Sequence, residues 1–194
     1  DNSTDEVANF KLNNEVLQNV TGVYGVLEVI NSGNIFELPQ STLDQIRTII
    51  IEKKIHTLFF ESHWIYRNKI QKMRDFFGVR TIVKTGVESF DDNFREKVLN
   101  KGFNFHSLSD LKESFDSVCL MVGIQGQSKE LIARDINIAT ENFDHFTVNV
   151  FVENSTDIKP DKDLIQWFQN EYKYLDDLVK CDVLWVNTDF GVGC

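Results

Sequence analysis

Residues 118–130, VCLMVGIQGQSKE, decide the fold. The apolar run from Val118 reads as a strand buried on both faces, ending at Gly123. Ser128 then opens a segment whose Leu131, Ile132, Ile136, Ile138 and Ala139 recur at helical spacing through Asn142. Five other apolar runs stop on polar clusters in the same way: VLEVINSGN from Val26, TLFFESHW from Thr57, TIVKTGVES from Thr81, TVNVFVENS from Thr147 and VLWVNTDFG from Val183. Buried strands alternating with amphipathic helices imply a parallel sheet, whose ligands sit at the carboxyl ends of the strands. The polar clusters therefore mark the expected site.

Working outward, a helix is expected from Asp5 to Asn19. A strand at Val26–Ile30 is followed by a helix over Leu43–Glu52, with Ser41 as its N-cap. His56–Glu61 reads as a strand, and Trp64–Phe77 as a helix closed by Gly78. Arg80–Lys84 is the next strand, and Asp91–Asn100 a helix capped by Asp91 or Asp92 and stopped by Gly102. Further helices fall at Ser107–Ser114 and Asp161–Tyr174, and further strands at His145–Val152 and Val183–Asn187.

Repeated βα units without a GxGxxG turn point to a partial (βα)n TIM-like barrel of about six strands with outer helices. The open alternatives are a complete barrel lacking an N-terminal strand and a flavodoxin-like sheet.

With 194 residues, 42% of them hydrophobic, the chain suits a single domain, 1–194, with one sizeable core. No apolar stretch reaches the ~20 residues of a membrane span, and the first residues form no signal peptide. A net charge of −10 disfavours nucleic acid and anionic membranes. The basic positions from Lys53 to Arg74 are interleaved with apolar ones, as on solvated helix faces. Cys119, Cys181 and Cys194 have neither zinc nor redox spacing, so a reducing cytoplasm is expected. The absence of an initiator methionine suggests a part of something longer.

Several residues at the predicted strand ends can carry chemistry. Gly123 and Gly126 allow a backbone to approach a ligand closely, and the helix that follows offers free N–H groups; an ordinary tight βα turn would look similar. Because histidine as a residue type can exchange protons near neutral pH, His63 is the candidate for proton transfer or substrate hydrogen bonding, with a surface histidine packed on Trp64 as the plainer reading. Glu61 and Glu88 read equally as functional carboxylates or as struts, and Asp189 as a ligand or a turn cap.

GIQGQSKE resembles the adenine-contacting segment of radical S-adenosylmethionine enzymes, with Gln125 in place of a frequent proline. VINSGNIFELP resembles the segment that holds the methionine amino group, and KTGVES the strand end that contacts ribose and carboxylate. The resemblance spans Val23 to the C-terminus and implies cofactor contacts at Asn31, Ser32, Gly33, Lys84, Thr85, Glu88, Ser89, Ile124 and Gly126.

FFESHWIYRNKI, KTGVESFDDNFR and NTDFGVG further resemble members associated with queuosine salvage, including queuine lyases, which cut a cyclopentenediol from a 7-deazaguanine base. On that resemblance Glu61 and His63 are catalytic candidates, and Glu61, His63, Glu153, Asn154 and Asp189 substrate-binding ones. Carboxylates suit a guanine-like edge, and Asn, Asp or His suit a diol.

The implied cofactors are S-adenosylmethionine and a [4Fe–4S] cluster, with a flavodoxin or ferredoxin as electron donor. The family's CxxxCxxC loop is absent from these residues, so the cluster cysteines are expected upstream. The competing expectations are a cluster-free barrel lyase or hydrolase and a noncatalytic nucleoside-binding module.

Overall fold

The computed structural model describes residues 6–30 and 34–186. The expectations for Asn31, Ser32, Gly33 and Asp189 lie outside these residues. Six strands hydrogen-bond in chain order, β1 (Val26–Val29), β2 (Thr57–Glu61), β3 (Arg80–Glu88), β4 (Ser117–Val122), β5 (His145–Val150) and β6 (Cys181–Leu184). The resolved ladders of β1 with β2, and of β3 through β6, are parallel. A flavodoxin-like sheet has order 2-1-3-4-5. The chain-order sheet is instead that of a partial (βα)n barrel.

The chain divides into two compact units, Asp1–Val83 and Lys84–Cys194. In the first, α1 (Glu6–Leu17) and α2 (Gln40–Glu52) lie either side of β1 in sequence. Buried Leu43, Ile46, Ile49 and Ile50 form the inward stripe of α2. This helix starts before Ser41, which therefore is not its N-cap. The carbonyl of Pro39 accepts the N–H groups of Thr42 and Leu43, and proline's fixed φ sets the entry. The expected helix after β2 is two pieces, a 3-10 turn at Trp64–Lys69 and α3 (Ile70–Phe77). As expected, Gly78 ends it at φ 67°, where left-handed backbone suits glycine.

In the second unit, α4 (Leu108–Ser114), α5 (Lys129–Asn142) and α6 (Lys162–Tyr172) are capped by Ser107, Ser128 and Asp161 through oxygens that accept backbone N–H bonds. Phe146, Val148 and Val150 on one face of β5 are buried, as are Val118, Leu120 and Val122 of β4 and Ile132, Ile136 and Ala139 of α5.

Three further expectations are corrected. β3 runs on to Glu88 through a bulge between Thr85 and Glu88. Residues 94–98 form a π-helix rather than part of an α-helix, around an Arg95 that is 1% exposed. β6 begins at Cys181, which pairs with Phe146, two residues before the apolar run suggested. Among the described residues no helix is long and apolar enough to cross a membrane.

Candidate functional site

In the second unit the site begins at the end of β4. The loop reverses through Gly123 (φ 88°) and Gly126 (φ 92°), a region that penalises a side chain. A Cβ on Gly123 would lie 2.3 Å from Ile165, whereas one on Gly126 would meet nothing within 4 Å. Gly126 thus leaves an open approach to the backbone. Gln127 braces this turn: its carboxamide donates to the Met121 carbonyl (2.8 Å) and accepts from the Ile124 N–H (2.9 Å). Ile124 is buried with Phe94 and Phe151.

At the end of β3, the Ser89 N–H donates to the Val87 carbonyl (2.8 Å), closing a γ-turn about Glu88, whose φ is 63°. Such turns are strained and persist where their surroundings over-determine them. Lys101 Nζ lies 2.8 Å from Glu88 Oε1, while buried Oε2 has no hydrogen-bond partner. Thr85 Oγ1 is likewise buried and unpartnered.

Ser89 is held by a buried network behind this turn. Fully buried, its hydroxyl donates to Asp135 Oδ2 (2.5 Å) and accepts from the Asp91 N–H (3.1 Å). Burial pushes the Asp135 carboxyl above its ordinary range, opposed by the Ser89 bond. Arg95 completes the brace by donating to the Ser89 carbonyl (3.2 Å).

Lys84 lies back from the carboxyl end, opposite Ser117, the first residue of β4. On that level, Ser117 Oγ lies 3.0 Å from His145 Nδ1, and His145 Nε2 lies 2.9 Å from Asp182 Oδ2. The His145 bond holds the Asp182 carboxyl below its usual range, and Lys84 adds to the effect. Lys84 therefore belongs to a polar layer at the amino-terminal side of β4–β6 rather than to the strand ends.

A cleft of about 270 Å³ opens at the carboxyl ends of β4, β5 and β6, lined by Met121, Asn149, Phe151, Asn154, Leu184 and Val186 among others. Asn154 is exposed, and its Oδ1 accepts from the Thr156 N–H and hydroxyl. Glu153 is exposed and paired with Lys159 at 3.2 Å.

In the first unit, Glu61 ends β2 and is exposed. His63 is half-buried and caps the Trp64–Lys69 turn, its Nδ1 accepting the Ile65 N–H at 3.3 Å. Asn34 is buried at 6% exposure, caps residues 35–37 and donates to Ser62 Oγ at 3.5 Å. It thereby joins the segments that follow β1 and β2.

Sequence reasoning missed Asn34, Gln127 and Asn149. Only Gln127 left a signal, as a polar side chain between a diglycine turn and a helix cap.

The implied groups fit unequally. The open backbone at Gly126 and the unpartnered Glu88 Oε2 suit a ligand bearing an aromatic base and hydroxyls, as S-adenosylmethionine does. The described residues hold no cluster of three or more metal-ligating side chains. Cys119 and Cys181 are buried in strands, and burial pushes the Cys181 thiol up to about 12, far from the thiolate a cluster needs. These two cysteines do not fit a [4Fe–4S] cluster.

The chain-order (βα) sheet is the partial barrel that the resemblance to radical S-adenosylmethionine enzymes implies. No family model and no curated protein matches the chain. Among solved structures it is similar to a queuine lyase from Clostridium spiroforme bound to SAM and queuine, with TM-score 0.95 and 52% identity, covering 99% of this chain and 84% of that one. The chain belongs to the queuine lyase family.

Proposed function

We propose that the chain is a radical S-adenosylmethionine lyase that acts on queuine, cutting the cyclopentenediol substituent from the 7-deazaguanine base. The observation that carries this reading is its 52% identity, over 99% of its length, to a queuine lyase bound to both molecules. Single-domain organisation, a cytoplasmic location, a flavodoxin- or ferredoxin-type electron donor and cluster cysteines outside these residues complete the proposal.

S-adenosylmethionine, held by the Gly126 turn and Glu88, would supply radical hydrogen-abstraction chemistry at the substrate. The chain's own residues bind and orient. Gly126 lets the adenine approach the backbone, and Ile124 gives that approach a fixed apolar floor. Glu88 Oε2 accepts from a ribose hydroxyl, pre-aimed by the γ-turn and by Lys101 on the other oxygen. Asn31, Ser32 and Gly33 hold the methionine end.

Glu61 and His63 handle protons at the substrate, with Glu153, Asn154 and Asp189 as further substrate contacts. Because His63 Nδ1 accepts the Ile65 N–H, the neutral ring carries its proton on Nε2, which makes that nitrogen the donor.

Anaerobic iron–sulfur reconstitution of the full-length protein, followed by EPR with and without S-adenosylmethionine and by product analysis with queuine, tests the reading. A cluster signal that changes on cofactor addition, together with release of a 7-deazaguanine product, is expected. A protein that takes up no cluster and leaves queuine intact would return the choice to a cluster-free barrel enzyme or a binding module.

A further inference from the structure

The inward face of β5 carries a line of polar groups that the proposed chemistry has not used. Successive side chains of a strand point to opposite faces, so His145, Thr147 and Asn149 share one face while Phe146, Val148 and Val150 share the other. His145 is engaged with Ser117 and Asp182. Asn149, at the carboxyl end, lines the cleft with Met121, Phe151 and Leu184. Its Oδ1 is buried and has no hydrogen-bond partner. A carbonyl oxygen withdrawn from water and left unpaired is costly, and in a ligand-sized cleft the simplest partner is a ligand N–H.

We infer that Asn149 is a specificity residue for the base of the substrate, its Oδ1 accepting a hydrogen bond from an N–H of the 7-deazaguanine ring. This rests on the proposed function and names a side chain for it.

The size of the cleft favours the base over the cofactor: at about 270 Å³ it lies at the small end of ligand pockets, which suits a bicyclic base better than a whole nucleoside cofactor. The 7-deazaguanine ring carries N–H groups and an exocyclic amine, the donors that an unpaired carbonyl oxygen takes. The proposed function places the adenine at the Ile124–Gly126 turn, whose neighbours Phe151 and Met121 also wall the cleft, so the two ligands share that wall. A site built to hydrogen-bond a substrate N–H also rejects analogues that lack it.

The test is anaerobic titration calorimetry on the full-length holoenzyme, with queuine and S-adenosylmethionine titrated separately into wild type, Asn149→Leu and Asn149→Asp. Thermal melts establish that each variant is folded. Asn149→Leu should weaken queuine binding roughly tenfold or more while S-adenosylmethionine binds within about twofold of wild type. Asn149→Asp keeps the acceptor and the shape and should retain queuine within about threefold.

Unchanged queuine affinity in Asn149→Leu, or equal losses for both ligands, overturns the assignment while leaving the lyase reading standing. Failure of the wild-type holoenzyme to bind queuine overturns both. Should Asn149→Leu not fold, Asn149→Ser and Asn149→Asp carry the same comparison, with tight queuine binding expected only in the aspartate variant.

Discussion

Two glycines three residues apart do different work. Gly126 faces open space, so a side chain there harms the ligand more than the fold. Gly126→Val is expected to weaken S-adenosylmethionine binding by at least tenfold, at the cost of the ~1–2 kcal/mol that left-handed backbone imposes on a side chain. Calorimetry alongside thermal melting separates the two effects; unchanged affinity would remove the adenine from this turn. Gly123 faces Ile165, whose Cγ1 lies 2.3 Å from where a Cβ would stand. Gly123→Ala should destabilise by about 2–4 kcal/mol, combining overpacking with a positive φ. Adding Ile165→Ala to Gly123→Ala should recover part of that loss. A strictly additive pair in urea melts would mean the two side chains do not clash.

The polar layer beneath β4–β6 makes a pH prediction at the scale of the elements it joins. His145 holds the Asp182 carboxyl below its usual range. The stability this contributes is complete above the unfolded aspartate value, ~3.9, and is lost as pH falls through the lower folded value. Asp182→Asn should therefore lose stability at neutral pH yet show a flatter decline below about pH 4. Melting curves from pH 3 to 7 would reveal this, and parallel wild-type and variant profiles would refute it.

The elements were legible where period and caps agreed. Ser128 before the Leu131–Ala139 spacing marked α5, and Asp161 marked α6. Elements set by tertiary partners were not. Buried Arg95 turns residues 94–98 into a π-helix because its guanidinium reaches back to the Ser89 carbonyl, and no local propensity encodes that reach. The turn after β4 was legible in its glycines. Asn149 was hidden because one polar residue in the alternating run TVNV looks like any other before its unpaired oxygen is known.

For the whole chain, ligand binding and folding are linked. A ligand at 100 times its Kd stabilises the native state by ~2.7 kcal/mol, which in a chain of this length raises Tm by roughly 5–10 °C. Reconstituted full-length protein should show that rise with S-adenosylmethionine and a second, independent rise on adding queuine. No shift with the cofactor at saturating concentration would exclude it as a native-state ligand. With a net charge of −10, the protein has no general attraction for polyanions.

The two-sided character of β5 also sets where this chain tolerates changes of length. A single residue inserted into His145–Val150 would swing Phe146, Val148 and Val150 towards the polar layer and turn His145, Thr147 and Asn149 under the helices, so that both faces fail together. The exposed stretch from Val152 to Asp157 just beyond it carries no such constraint. The strand that floors the cleft thus keeps a fixed count of residues, whereas a change of length in the rim acts through Glu153 and Asn154.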